Sequence, residues 1–154
     1  MIRYAFLALA LLLPAVASAA DAEAEAKVLA QDILTKGAAL FDTRDASAMA
    51  ATYVEEAELS LISKDKDTGR FKAENTHGRT SIERFYQDLF KDRKPGTTSR
   101  NVVEYARFVG TDVLIIHGKF TLDVTQGDAL PFVQVRVKDG DKWLIMNLQI
   151  VLPS

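Results

Sequence analysis

Apolar residues recur at helical spacing over residues 21–42. Leu29, Ile33, Gly37 and Leu40 fall on one face and Lys27, Gln31 and Thr35 on another. Asp21, Glu23 and Glu25 place negative charge where a helix N-terminus favours it. Thr43-Arg44-Asp45 interrupts the pattern, and Asp45 is the expected N-cap of a second, short helix carrying Met49 and Tyr53. A third helix opens at Thr80-Ser81-Ile82-Glu83, which has the form of a capping box. Its apolar stripe is Ile82, Phe85, Tyr86, Leu89 and Phe90. Lys91, Arg93 and Lys94 follow, and Pro95-Gly96 stops it.

From about Ser99 the period changes to two. Ser99–Val109, Val113–Val124, Leu130–Val137 and Trp143–Leu152 are β-rich runs parted by Gly110-Thr111-Asp112, Gly127-Asp128 and Asp139-Gly140. Those turn signals predict an antiparallel meander. An earlier hairpin is expected between Ala57–Ser63 and Arg70–Glu74, with Lys64–Gly69 as an exposed charged tip. Helices, a hairpin, a helix and then a meander define an α+β fold: three helices packed on one face of a curved sheet of about six strands.

The first 19 residues have a different character. Arg3 is followed by an apolar run from Ala5 to Leu13, then Pro14 and small residues, with Ala17-Ser18-Ala19 as a cleavage site. This order is that of a Sec signal peptide. The run is about half of the ~20 residues that cross a bilayer, so no membrane association is expected after cleavage. Residues 20–154 then form one domain of 135 residues, periplasmic or secreted, with the net charge moving from −2 to −3 as Arg3 is lost. No basic excess supports nucleic-acid binding. With no cysteine, the fold must stand on its apolar core without disulfides.

Three segments carry a family likeness: Leu40-Phe41 through Tyr53-Val54-Glu55-Glu56-Ala57, Gly78-Arg79-Thr80-Ser81-Ile82-Glu83-Arg84-Phe85-Tyr86, and Asp139-Gly140-Asp141-Lys142-Trp143-Leu144-Ile145. In that order they resemble the SnoaL-like proteins of the nuclear-transport-factor-2-like superfamily, a cone-shaped fold shared with ketosteroid isomerase and scytalone dehydratase. The resemblance implies the cone and does not carry the isomerase activity. The isomerase's general base falls at Leu61, its oxyanion-binding tyrosine at Gly37 and its protonated aspartate at Val133. Leucine and valine exchange no proton, and glycine offers no side-chain donor. The Trp-x-Ile-x-His-x-His ending of other members is here Trp143-Leu144-Ile145-Met146-Asn147-Leu148-Gln149, with neutral amides replacing both histidines. No catalytic set, no cofactor and no metal site is therefore assigned; His77 and His117 lie on different elements.

Strand alternation, phased on Val133 by the isomerase comparison, predicts an apolar pocket wall. It comprises Leu114, Ile116, Gly118, Phe120 and Leu122, then Val133, Val135 and Val137, then Met146, Leu148, Ile150 and Leu152. Tyr53 and Tyr86 supply its hydroxyls and Leu61 its remaining wall, with Glu104 a further polar candidate and His77 or Arg79 near the mouth. The opposite sheet face is expected to hold Ile115, His117, Lys119, Phe132, Gln134, Arg136, Trp143, Ile145, Asn147, Gln149 and Val151. Its aromatic and arginine content is typical of interfaces, and in this superfamily the convex face commonly dimerises, so a homodimer is expected there. Three functions stay open: a binder of an apolar small molecule or non-catalytic module, an enzyme with relocated acid and base, and a protein-interaction module on the convex face. The first competes with a core that is simply filled by tyrosines.

Overall fold

A computed structural model describes residues 14–125 and 127–153. The elements run α1 (Pro14–Thr43), α2 (Ala46–Ala50), β1 (Tyr53–Lys64), β2 (Phe71–His77), α3 (Arg79–Lys91), β3 (Arg100–Val109), β4 (Val113–Thr121), β5 (Ala129–Asp139) and β6 (Lys142–Val151). Arg3 and the apolar run Ala5–Leu13 lie outside the described residues.

The six strands form one sheet in the order β2-β1-β6-β5-β4-β3. Every neighbouring pair is antiparallel except β1 with β6. The fold is therefore α+β, with helices packed on a mostly antiparallel curved sheet. Positive φ at Gly110 and Gly140 lets the β3–β4 and β5–β6 turns reverse tightly, as the turn signals predict.

α1 lies along β3, the edge strand. Ala26, Ala30, Leu34 and Phe41 are buried at intervals of four or seven, and the small residues let the helix come close. Gln31 and Asn101 tie the two together: Val103 N donates to Gln31 Oε1 at 3.0 Å, Gln31 Nε2 donates to the Asn101 carbonyl at 3.2 Å, and Asn101 Nδ2 donates to the Leu34 carbonyl at 3.0 Å. The unpaired edge of the sheet is thus covered.

Local details depart from the sequence-based expectations. Tyr53 begins β1 rather than ending α2. Asp45 does cap α2, accepting from Ala48 N at 2.8 Å. α3 is capped at Gly78, not at Thr80, and no side chain caps it. Gly78 holds φ +79°, which a β-branched residue adopts only with strain, so the chain turns two residues earlier than the capping-box pattern implies.

The register fixes which residues share the inner face, because directly opposed residues point the same way. One row across the sheet reads Phe108, Leu114, Arg136, Ile145 and Tyr53. The next reads Ala106, Ile116, Gln134, Leu148 and Leu59, and a third reads Val103, Gly118, Phe132, Ile150 and Leu61. In the third row Phe132 lies over Gly118, where a Cβ would stand 2.9 Å from the ring and 2.4 Å from the Val102 carbonyl oxygen. Only glycine fits there.

Candidate functional site

Between α1, α3 and the inner sheet face lies a cavity of about 720 Å³. The helical stripe Leu29, Ile33, Gly37 and Leu40 forms one wall, and Leu61, Phe120, Ile150 and Leu152 line it from the sheet side. Nothing lies within 4 Å of the position a Cβ would take at Gly37, so the absent side chain is part of the empty space. Exposed Asp32, Lys36, Asp141 and Lys142 also border the cavity, which is open to solvent.

The polar groups are few and converge. Tyr53 and Tyr86 are buried, and their hydroxyls share a hydrogen bond of 2.7 Å. One proton joins them and the other has no protein acceptor among the described residues. Arg136 is 5% exposed; its Nε donates to Gln134 Oε1 at 2.9 Å and its Nη1 to the Trp143 carbonyl at 2.8 Å. Gln134 is also buried, and all four residues line the cavity.

Burial dominates the protonation behaviour of this group. It raises the Tyr53 phenol well above its ordinary value, and the neighbouring Tyr86 adds to that. Burial likewise pushes Tyr86 up to about 12, while its bond with Tyr53 and the Arg136 charge pull the other way. Burial brings the Arg136 guanidinium down to about 10, against the opposing influence of the two tyrosines. At neutral pH the site therefore holds one cation and two neutral phenols.

Several expected positions are corrected. Val133 and Met146 do not line the cavity. Val133 opposes His117 and Gln149 on the outer face, and Met146 is 48% exposed. Val135 and Val137 share the outer side with Val133, because β5 is phased one residue away from the isomerase comparison. On β6, a bulge pairs Asn147 with Val135 and Ile145 with Arg136, leaving Met146 as the extra residue. Trp143 and Ile145 consequently turn inward along with Leu148. Gln134 and Arg136, expected on the dimer face, are interior groups, and so is Phe132.

The remaining residues fall as follows. Tyr53, Leu61, Tyr86 and Phe120 line the cavity, and Ile116 is fully buried in the row beneath it. Ile115, His117, Asn147 and Gln149 are on the outer face, where His117 meets the edge of Tyr105 with centroids 5.6 Å apart. Glu104 is outside the cavity too, paired with Lys119 at 2.6 Å. Near the start of α3, His77 faces Glu58 at 3.3 Å. Arg79 donates twice to the Tyr53 carbonyl, at 3.0 and 2.7 Å, and meets Glu55 at 3.1 Å, so it serves the β1 backbone.

No protein-family profile matches the chain, and no curated protein matches it. Solved structures do. One is a domain of unknown function with a cystatin-like fold from Nostoc punctiforme: TM-score 0.63, 18% identity, covering 84% of this chain and 78% of that one. An NTF-2-like protein of unknown function from Shewanella oneidensis gives 0.60 at 16% identity, covering 79% and 94%. A protein from Catenulispora acidiphila in complex with S-DNPA gives 0.56 at 14% identity, covering 82% and 91%. The chain has the nuclear-transport-factor-2-like fold.

Proposed function

We propose that the mature chain is a periplasmic or secreted SnoaL-like domain that binds an apolar small molecule inside its cone. The supporting observation is the cavity itself. About 720 Å³ lies within the usual range of small-molecule sites, and its walls are apolar with a few convergent polar groups. A core filled by its tyrosines would leave no such volume. That a protein of the same fold was solved with S-DNPA is in keeping with this use.

The cavity contains the sole tryptophan, Trp143, so binding is directly observable. The reading predicts that native mass spectrometry of protein purified from its own host finds a retained small apolar molecule, and that adding it back changes Trp143 emission. Protein that retains nothing, and whose emission ignores a panel of hydrophobic compounds, would count against it.

A homodimer through the outer sheet face is proposed with it, now built on Ile115, His117, Asn147 and Gln149 without Gln134 and Arg136. Val102 and Met146, 45% and 48% exposed, are outer-face side chains that a partner would cover. Light scattering is expected to give twice the mature mass; a monomer at micromolar concentration would remove this part.

A further inference from the structure

A guanidinium carries five N–H donors and a charge that natural proteins almost never bury fully without a partner. Arg136 uses one donor on Gln134 Oε1 and one on the Trp143 carbonyl, leaving three. No carboxylate pairs with it among the described residues, and the seven ion pairs present involve other side chains. Nη2 donates to no protein acceptor there, yet it is not a sealed, unsatisfied atom: among the described residues no buried side-chain nitrogen or oxygen lacks a partner. Nη2 therefore keeps some accessible surface, and Arg136 lines the cavity. Gln134 Nε2 and one proton of the Tyr53–Tyr86 pair likewise have no protein acceptor among the described residues, and these residues line the same cavity.

We propose that the ligand is an apolar monocarboxylate, its head group held by Arg136 with Gln134 and the tyrosine pair, and its apolar body in the space beside Gly37. This rests on the binding reading above and names the chemical class that it takes. The planar fork of a guanidinium fits the two oxygens of a carboxylate. One buried positive charge balances one negative charge, whereas a phosphate dianion would leave an uncompensated charge in an apolar chamber. The hydroxyls and the amide supply donors only where a carboxylate has lone pairs left. An uncharged apolar ligand would leave Arg136 as it is now, desolvated and without a counter-ion.

The test titrates the purified protein, following Trp143 emission, with two matched pairs: decanoate against 1-decanol, and 2-naphthoate against 2-naphthol at pH 7. At least one carboxylate is expected to bind about 10- to 100-fold more tightly than its neutral counterpart, the range for hydrogen bonds to a charged group. Arg136→Met should erase that preference while leaving binding of the alcohols within about threefold. Arg136→Lys should restore part of it, since the charge returns without the fork. If acid and alcohol bind equally to the wild type, or Arg136→Met keeps the preference, the carboxylate assignment is overturned while the binding reading stands. If none of the four compounds alters the emission or competes with a molecule retained from the host, both fall. Should Arg136→Met fail to fold, Arg136→Gln, which keeps polar donors without the charge, gives the same comparison. Loss of the acid preference supports the assignment and its retention overturns it.

Discussion

Arg93 and Arg136 are both largely buried, and the structure treats them in opposite ways. The Arg93 guanidinium meets Asp42 at 2.6 Å and donates to the carbonyls of Leu122 and Thr97 at 3.0 and 3.1 Å, while lying 4.4 Å from the Phe41 ring. Asp42 in turn accepts from Ser99 N. Every strong group at that junction has a partner, and the result is a fixed clamp between α1, the end of α3 and the start of β3. Arg136 has an amide and one carbonyl, no carboxylate, and empty space in front of it. A buried charge that is fully answered is structure. One that is half answered, at the wall of a cavity, is poised for something that the chain itself does not supply.

That contrast yields unequal effects on stability. Arg93→Met strips Asp42 and two carbonyls of their donor and is expected to cost about 1.5–3 kcal/mol, the range for hydrogen bonds to charged groups. Arg136→Met removes a desolvated charge and substitutes an apolar chain of similar length, so its melting temperature should match or exceed that of the wild type. Calorimetry of the two variants side by side checks both. A large loss at Arg136 would mean that it, too, is a structural clamp.

The floor of the hollow region provides the next test. Gly118→Ala pushes a methyl into the Val102 carbonyl and the Phe132 ring, at a cost of about 1–3 kcal/mol in denaturant unfolding. An unchanged midpoint would show that the sheet there is looser than the register implies.

Alkaline titration separates the phenols. Tyr53 and Tyr86 have folded values above the ordinary phenol value near 10, so the folded state keeps protons that the unfolded state releases. Their contribution to stability is complete below pH 10 and is lost as pH rises towards 12. Burial lowers the Arg136 guanidinium and so acts in the other direction, but a guanidinium keeps its proton over this range and the phenols set the pH dependence. A late rise in phenolate absorbance should accompany unfolding in the wild type and disappear in Tyr53→Phe/Tyr86→Phe. The same late rise persisting in the double variant would contradict the assignment.

The smallest effect lies on the opposite wall. Gly37 is inside α1 with open space around its Cβ position, so Gly37→Ala should stabilise by about 1 kcal/mol through helix propensity alone. Gly37→Phe should fill the chamber and weaken binding of any apolar ligand.

Much of this was legible in the sequence. Helical spacing placed the Leu29, Ile33 and Leu40 wall, and Gly-containing turns delimited the strands to within a few residues. Tyr53 and Tyr86 stood out as the polar groups of the cone. The hidden part was the phase of β5. Val133, Val135 and Val137 look like an inward apolar stripe, whereas the inward residues are Phe132, Gln134 and Arg136. Alternation assumes that the polar set faces water, and a site that keeps a cation inside inverts that assumption. The β6 bulge hid the rest, since one extra residue at Met146 turns Trp143 and Ile145 inward without any mark in composition.

A crystal structure of the protein soaked in 2-naphthoate bears most directly on the assignment of Arg136 as a carboxylate site. The naphthyl group is expected beside Gly37 and the carboxylate oxygens within hydrogen-bond distance of Arg136 Nη2, with the Arg93–Asp42 clamp unchanged. Arg136 turned onto a carboxylate of the protein itself, or naphthoate bound anywhere but the cavity, would contradict it.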